Sequence, residues 1–390
     1  MHRTLFIVAL AGAAQAAPQC SSSAPLASSQ NVQTIVVNAG PTNTYFNGAF
    51  TSVTVCAPGS SSCQTIDGVL VDSGSSGLRV LSSVLTVSLP QQTDSNGAAM
   101  AECGQFLDGF TWGPVQSADI RMAGEQASAV PIQVIGAPGF TNVPDACSST
   151  GPAEDTLQDL GANAILGVSV FRQDCGLGCS LVGASNPGVY FACSGSTCRS
   201  TTQALTKQLQ NPVWLFASDN NGISIQLPSV ALGGAPSVTG TMTFGIGTQS
   251  NNALGSARVL TLDADGNFTT VFNGQSYGSS FIDSGSNGIY FLDPATTGMP
   301  TCADASDFYC PATTLTFSAT NRGANGATSS VTFRVGNLDA LNERFSAFSE
   351  VAGPNSGAFD WGLSFFFGRT VYAAIEGQST PGGSGPFVAY

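Results

Sequence analysis

The chain has 390 residues, a length that accommodates two domains. Only 9% of the residues are charged and the formal net charge is -13 at pH 7, which excludes a basic nucleic-acid surface and electrostatic binding to an anionic membrane. The scarcity of charge also argues against long helices with a solvent-exposed face. Ample apolar material predicts a folded core rather than a disordered chain.

Residues 1–16 predict a secretory signal peptide, because a basic start is followed by an apolar run and an Ala-Gln-Ala cleavage site. The apolar run is too short for a stable membrane anchor, so we expect a secreted or periplasmic protein without one. Residues 17–31 are rich in Ser, Ala and Pro and predict a flexible leader. A lipid anchor on Cys20 is the alternative, but the residues before it are a poor context for lipidation.

Removal of the signal peptide would leave a chain without histidine, since His2 is the only one. Such a chain cannot use a Ser-His-Asp or Cys-His arrangement and offers no imidazole to a metal ion. The only lysine, Lys207, lies in a Gln-rich stretch typical of a surface. General acid–base chemistry therefore falls to carboxylates, and we expect neither a metal nor another cofactor.

After the leader, short apolar runs alternate with Gly, Asn, Ser and Pro, a pattern typical of an all-β protein. Helical signals are few, and the best are Glu154–Leu160, Thr201–Leu209 and Leu338–Phe345. The predicted strands include Thr34–Val37, Phe50–Val55, Gly68–Val71, Ile132–Ile135, Gly222–Leu227 and Val331–Val335.

The cysteines suit an oxidising compartment, where ten of the eleven could form five disulfides. Three pairs are close enough in sequence to clip hairpins or loops, namely Cys56/Cys63, Cys193/Cys198 and Cys302/Cys310. The order of pairing stays open for Cys103, Cys147, Cys175 and Cys179. A thiolate metal site at the last two is the rival interpretation.

The sequence contains an internal duplication. Residues 69–81 (VLVDSGSSGLRVL) and 280–292 (SFIDSGSNGIYFL) share an apolar run, Asp-Ser-Gly-Ser, a glycine and a second apolar run. An apolar-Gly element follows each copy along the chain, Ile165-Leu166-Gly167 in the first case and Trp361-Gly362 in the second. The matched order predicts two similar lobes, residues 32–218 and 219–390.

The duplicated turn is suited to carboxylate chemistry. A strand that ends in Asp-Ser-Gly-Ser places a carboxylate at a tight turn, where hydroxyls and backbone N–H groups can hydrogen-bond it. If a pseudo-twofold axis relates the lobes, Asp72 and Asp283 meet and share one proton. One carboxylate can then take a proton from water while the other donates to a carbonyl oxygen. For a single copy a plain Ser/Gly turn is the simpler interpretation, but two copies in matched context favour a paired site.

These motifs resemble the two signatures of the pepsin-like aspartic peptidases, and the similarity runs through most of the chain after the leader. It is greatest to exported bacterial proteins with paired motifs of this kind. The resemblance implies a bilobal all-β fold of two pseudo-twofold-related β-barrels with few short helices. It also implies that Asp72 and Asp283 are the catalytic dyad, in which proton sharing is the known chemistry of that family.

The resemblance assigns roles to the residues around the dyad. Ser73 and Ser284 would hold the two loops together across the axis, and Ser75 and Ser286 would hydrogen-bond the outer carboxylate oxygens. An apolar strand at Val213–Phe216 would lie at the junction of the lobes. The other implied site residues are the turn glycines Gly74 and Gly285 and the strands behind each loop, Ile165, Leu166 and Gly167 with Trp361 and Gly362.

Two departures from the family pattern lie near the predicted site. The pepsin flap hairpin carries a tyrosine, whereas the matching region Gln105–Gly113 has none, so the Trp112 N–H would have to replace the tyrosine hydroxyl. Arg79 stands where the family usually has tryptophan. Its guanidinium either lies near the dyad and lowers the pKa of the carboxylates or pairs with another acid such as Asp119. The aromatic flap candidates are Phe106, Phe110 and Trp112.

The sequence thus predicts a secreted aspartic endopeptidase with an acidic optimum, acting as a monomer on an extended peptide or protein substrate. A catalytically silent fold that serves as an extracellular binding or structural protein is the first alternative. The altered flap and Arg79 favour that alternative, whereas the retention of both aspartates opposes it. A glycoside hydrolase is the second, and it would hold its carboxylates about 5–9.5 Å apart rather than in contact.

Overall fold

The computed structural model describes residues 31–390, so the predicted signal peptide and all but the last residue of the predicted leader lie outside the described residues. The described chain consists mainly of strands in barrel-like sheets that form two lobes, which confirms the all-β bilobal prediction. Its α-helices are four residues long: α1 Asp145–Ser148, α2 Leu157–Leu160, α3 Leu177–Ser180, α4 Pro294–Thr297 and α5 Leu363–Phe366.

The strands contain all six of the runs predicted above. In the first half of the chain they are β1 Val32–Asn38, β2 Gly48–Cys56, β3 Cys63–Asp72, β4 Ser76–Leu81, β5 Ala99–Gln105, β6 Phe110–Met122, β7 Glu125–Ile135, β8 Ala164–Val168, β9 Tyr190–Ser194 and β10 Thr197–Ser200. In the second half they are β11 Gly222–Leu227, β12 Val238–Phe244, β13 Val259–Thr261, β14 Phe268–Phe272, β15 Gln275–Ile282, β16 Ile289–Leu292, β17 Leu315–Arg322, β18 Thr328–Val335, β19 Ala352–Gly353, β20 Asn355–Trp361, β21 Arg369–Ala374, β22 Ser379–Thr380, β23 Gly383–Ser384 and β24 Phe387–Ala389.

The first half of the chain closes into a barrel. Strands β2, β3, β8, β4, β7 and β6 follow one another in hydrogen-bonded order, and the antiparallel pairing of β6 with β2 completes the ring. Closure leaves no exposed edge in the ring. Inward-facing side chains such as Val53, Val80 and Ile120 are buried in its core.

The second half contains a seven-stranded sheet in the order β18-β17-β14-β15-β20-β16-β19. Alternation is clear in β18, where Val331, Phe333 and Val335 are buried and the residues between them are exposed. A run of strands from both halves, β1-β12-β11-β21-β24-β13, connects the two lobes, since β1 pairs with β12. The lobes therefore share one continuous sheet.

The same strand crossing occurs twice and positions the duplicated turns. In the first lobe β8 lies between β3 and β4, parallel to β3 and antiparallel to β4. In the second lobe β20 lies between β15 and β16 with the same two directions. Each Asp-Ser-Gly-Ser turn thus links two strands that are separated by a third, and the internal duplication of the sequence corresponds to a duplication of topology.

Several predicted helices are shorter than expected. The Thr201–Leu209 stretch contains only a 3-10 turn at Leu205–Lys207, because Gln208 donates its side-chain amide to backbone carbonyl groups instead of facing solvent on a helix. The segment expected to form a strand at Val213–Phe216 is a 3-10 helix, Pro212–Leu215, with proline in its first turn. Another 3-10 turn, Leu338–Ala340, replaces the helix expected in that region, and Glu154–Leu160 is helical only in α2.

Five disulfides cross-link the described chain. The three short pairings are confirmed, and the open order is resolved as Cys103–Cys147 and Cys175–Cys179. The thiolate metal site is therefore wrong, since both of its proposed sulfurs are oxidised. No helix in residues 31–390 is long and apolar enough to cross a membrane.

Candidate active site

The two duplicated turns face each other across the lobes. A Cβ atom added to Gly74 would lie 2.6 Å from the Asp283 Cγ. One added to Gly285 would lie 2.8 Å from the Asp72 Oδ1 and 3.1 Å from the Asp283 Oδ1, so these two oxygens are separated by no more than the sum of those distances. The carboxylates meet because each turn carries glycine where any side chain would displace the opposite carboxylate.

Reciprocal serine contacts hold the turns together. The Ser73 N–H donates to the Ser284 Oγ at 3.1 Å, and the Ser284 N–H donates to the Ser73 Oγ at 2.8 Å. The Ser284 hydroxyl in turn donates to the Val71 carbonyl at 2.8 Å, from a fully buried position. The serines thus join the two loops across the lobes.

Neighbouring donors fix both carboxylates, although unequally. Asp72 accepts hydrogen bonds from the Gly74 N–H at 2.8 Å, the Ser75 N–H at 3.2 Å and the Ser75 hydroxyl. Asp283 accepts from the Gly285 N–H at 2.7 Å and the Ser286 hydroxyl at 2.9 Å. Because donors to a carboxylate stabilise its ionised form, Asp72 is the better-stabilised anion of the two.

Electrostatics reinforces this asymmetry. Desolvation raises the pKa of Asp283 well above its ordinary value, and the Asp72 charge, the Asp360 charge and a hydrogen bond with Asp72 raise it further. Two such groups in contact share a proton. Asp283 is therefore the carboxyl group of the pair that favours the protonated form. Asp283 is partly exposed, whereas Asp72 is buried.

The apolar-Gly strands support each turn from behind. In β8, Leu166 pairs with Val71 and Gly167 pairs with Asp72, and a Cβ on Gly167 would lie 2.6 Å from the Ser76 carbonyl carbon. Ile165 and Leu166 are buried beneath the turn. On the other side Trp361 in β20 pairs with Ile282, and a Cβ on Gly362 would lie 2.0 Å from the Gly288 carbonyl oxygen. Close backbone approach explains both glycines.

Arg79 pairs with buried acids other than the dyad. Its Nη2 donates to the Glu102 Oε1 at 2.6 Å and lies 3.7 Å from the Asp174 Oδ2. The expectation that Arg79 lowers the pKa of the dyad is not supported, and the alternative partner Asp119 is wrong. Asp119 instead accepts from the backbone N–H groups of Gly59 and Ala129.

The flap candidates divide between two faces of one hairpin. The predicted region forms the turn between β5 and β6, and Phe106 lies near its tip beside Arg79, whose guanidinium carbon is 5.6 Å from the ring centroid. Phe110 and Trp112 face away from Arg79 and pack with Phe191 in a separate buried cluster. The Trp112 N–H donates to a backbone carbonyl, so it does not replace the missing hydroxyl.

A cavity of about 390 Å³ lies beside the Asp72 turn. The turn residues Ser75 and Ser76 form one wall, Phe106 from the hairpin another, and the Arg79–Glu102 pair also borders the space. The cavity can accept a side chain of a molecule whose backbone passes over the dyad.

Two residues near the dyad were missed by the sequence analysis. Burial raises the pKa of Tyr45, with the charges of Asp108 and Glu154, and then those of Asp283 and Asp72, as smaller causes. No sequence signal marks Tyr45. Asp360 is fully buried and faces the dyad, and its signal was available: a carboxylate stands where the first copy of the apolar-Gly element has isoleucine.

Comparisons with known proteins give a family without an assigned activity. A family model described as "Protein of unknown function (DUF3443)" matches residues 27–390. No curated protein matches the chain. Because the family match covers both turns and both lobes, the chain belongs to the DUF3443 family.

Proposed function

We propose that this protein is an aspartic endopeptidase that hydrolyses peptide bonds with a water molecule activated between Asp72 and Asp283. The observation that carries the proposal is the close approach of two carboxyl groups. Each carboxyl group accepts hydrogen bonds from its own turn and lies against the glycine of the opposite turn. The strand crossings behind the turns and the reciprocal serine contacts support a pepsin-like assignment.

The reaction needs no covalent intermediate. Ionised Asp72 accepts a proton from water as the water oxygen attacks the carbonyl carbon, while Asp283 donates its proton to the carbonyl oxygen. The tetrahedral diol then collapses as a hydroxyl proton returns to Asp283 and Asp72 passes its proton to the leaving amine. Each carboxyl group ends in the state in which it began.

The proposed substrate is an extended peptide segment of a protein. The cavity beside Ser75 would take one of its side chains, and the hairpin with Phe106 would cover it. The dyad is complete within one chain, which supports action as a monomer. The disulfides support a secreted or periplasmic location. We propose an acidic optimum, because the mechanism requires the dyad to keep one proton.

A silent fold that binds an extracellular partner is the second candidate. Only the altered hairpin favours it, since the tyrosine of the resemblance is absent there. The glycoside hydrolase alternative is less well supported, because each carboxyl group lies against the glycine of the opposite turn, whereas that chemistry holds its carboxylates about 5–9.5 Å apart.

Cleavage of a denatured protein between pH 2 and 7 tests the proposal. We expect cleavage that is strongest at acidic pH, is blocked by a statine-type mimic of the diol, and falls about a hundred- to ten-thousand-fold in Asp72→Asn or Asp283→Asn, since each change removes a proton-transfer group. Equal cleavage by wild type and Asp72→Asn would overturn the mechanism. Inactivity of a folded wild type throughout this range would favour the silent fold.

A further inference from the structure

A third carboxyl group lies behind the dyad and takes no part in the mechanism above. Asp360 stands in β20 directly before Trp361, has 0% exposure, and neither of its side-chain oxygens has a hydrogen-bond partner among the described residues. A buried carboxyl without a partner is costly. Its presence in an otherwise apolar part of the strand, between Phe359 and Trp361, therefore calls for a role.

The register of β20 sets the surroundings of Asp360. The residue pairs with Phe281 in β15, two positions before Asp283, and with Tyr290 in β16. The backbone N–H of Asp283 donates to the carbonyl of Trp361, next to Asp360, at 3.2 Å. The titratable groups around Asp360 are therefore Asp283, its partner Asp72 and Tyr290. Burial raises the pKa of Tyr290 well above its ordinary value, with the Asp360 charge as the next cause, so this phenol stays neutral. The charged groups that act on Asp360 are thus the two carboxyl groups of the dyad, and the Ser286 hydroxyl, which donates to Asp283 at 2.9 Å, lies beside them.

We propose that Asp360 is a third titrating carboxyl of this site, a positioning residue whose negative charge opposes loss of the proton shared by Asp72 and Asp283. Burial raises the pKa of Asp360 to about 8, and the Asp72 charge also raises it, against a lowering by the Ser286 hydroxyl. At acidic pH Asp283 and Asp360 both keep their protons. As the pH rises, ionisation of Asp360 makes ionisation of Asp283 harder, and the reverse holds equally.

Removing the charge at position 360 lowers the pH at which the dyad loses its proton. In a variant with neutral Asn at position 360, Asp283 loses its proton without an opposing charge, so the dyad deprotonates at lower pH than in the wild type. The alkaline limit of cleavage therefore moves to lower pH in Asp360→Asn. The effect on cleavage rests on the proposed function, whereas the coupling between Asp360 and Asp283 does not.

Carbon-13 NMR of the aspartate carboxyl groups tests the coupling without any need for activity. We expect Asp283 to titrate about one pH unit lower in Asp360→Asn than in the wild type, and to keep its wild-type curve in Asp119→Asn, which changes a buried aspartate elsewhere. An unchanged Asp283 curve in Asp360→Asn overturns the proposal. If that variant does not fold, the wild type decides, because coupled groups each respond to both titration steps and independent groups give separate single steps.

The pH profile of kcat/KM is the second readout. We expect the alkaline limb to lie about one pH unit lower in Asp360→Asn, with activity at pH 4 retained and the Asp119→Asn profile unshifted. A limb at or above the wild-type position contradicts the catalytic part of the inference. A wild type that shows the NMR coupling but cleaves nothing refutes the proposed function and leaves the coupling intact.

Discussion

Ser284 makes the contacts that depend most directly on both lobes. Its hydroxyl oxygen accepts from the Ser73 N–H of the opposite turn, and its proton goes to the Val71 carbonyl at the end of β3. Both partner groups belong to the first lobe, and Ser284 itself is fully buried. The approach of the two carboxylates therefore relies on a hydroxyl group that does not contact the reacting atoms.

Ser284→Ala should lower the free energy of unfolding by about 2–4 kcal/mol, because it leaves the Ser73 N–H and the Val71 carbonyl without their partner. Ser284→Thr keeps the hydroxyl and should recover much of this loss. Denaturant unfolding measures both, with exposed Ser318→Ala as the control, which should change stability by less than about 0.5 kcal/mol. Equal stability of Ser284→Ala and Ser318→Ala would contradict the role given to this contact.

The hairpin of β5 and β6 is fastened within a few residues of its tip. Cys103 in β5 is joined to Cys147 in α1, 44 residues away. The Phe110 N–H at the start of β6 donates to the carbonyl of Pro152, in the loop between α1 and α2. Both strands are thus fixed close to the turn, while Leu107 in the turn itself is 85% exposed.

Removal of Cys103–Cys147 by double substitution with alanine should cost about 4 kcal/mol of stability, since it frees a long loop in the unfolded chain. The same change at Cys193–Cys198, which spans a separation of 5, should cost about 2 kcal/mol. Thermal unfolding of the two variants side by side measures the difference. A larger loss at Cys193–Cys198 would show that native contacts rather than loop length dominate.

The sequence does not predict which strand faces and which distant side chains meet in the fold. Alternation along β6 shows that Thr111 and its neighbours Phe110 and Trp112 point to opposite faces, but not which face meets the cleft. Asp174, which pairs with Arg79, is 95 positions away in the chain, and no sequence pattern predicts this pairing. Duplicated Asp-Ser-Gly-Ser turns were predictable because the motif itself repeats, whereas Tyr45 occurs once and has no counterpart to mark it.

For the whole molecule, the sequence predicts two similar lobes but not what joins them. Asn47, between β1 and β2, donates to the carbonyl groups of Asn287 and Phe348 at 2.8 Å and to the Ser364 hydroxyl at 3.1 Å. Its own oxygen accepts from the Phe348 N–H at 2.7 Å. One buried amide thereby links the first lobe to three places in the second, including the turn that follows Asp283.

Asn47→Ala should destabilise the protein by about 3 kcal/mol, since the two amide protons and the amide oxygen together supply about three full hydrogen bonds, worth about 1 kcal/mol each. Asn43→Ala is the matched control, because Asn43 has a similar positive φ (62° against 50°) but an exposed side chain. The shared backbone strain cancels between the two variants. Similar denaturation midpoints for both would mean that the amide does not hold the lobes together.

The central claim is that two carboxyl groups, one from each lobe, activate a single water molecule. Its most direct test is the digestion of a denatured protein at pH 4 in ¹⁸O-labelled water, with mass spectrometry of the new carboxyl ends and Asp283→Asn treated in parallel. We expect wild-type fragments that carry ¹⁸O from the solvent and no fragments from the variant. Intact protein after wild-type digestion, or labelled fragments from Asp283→Asn, would contradict it.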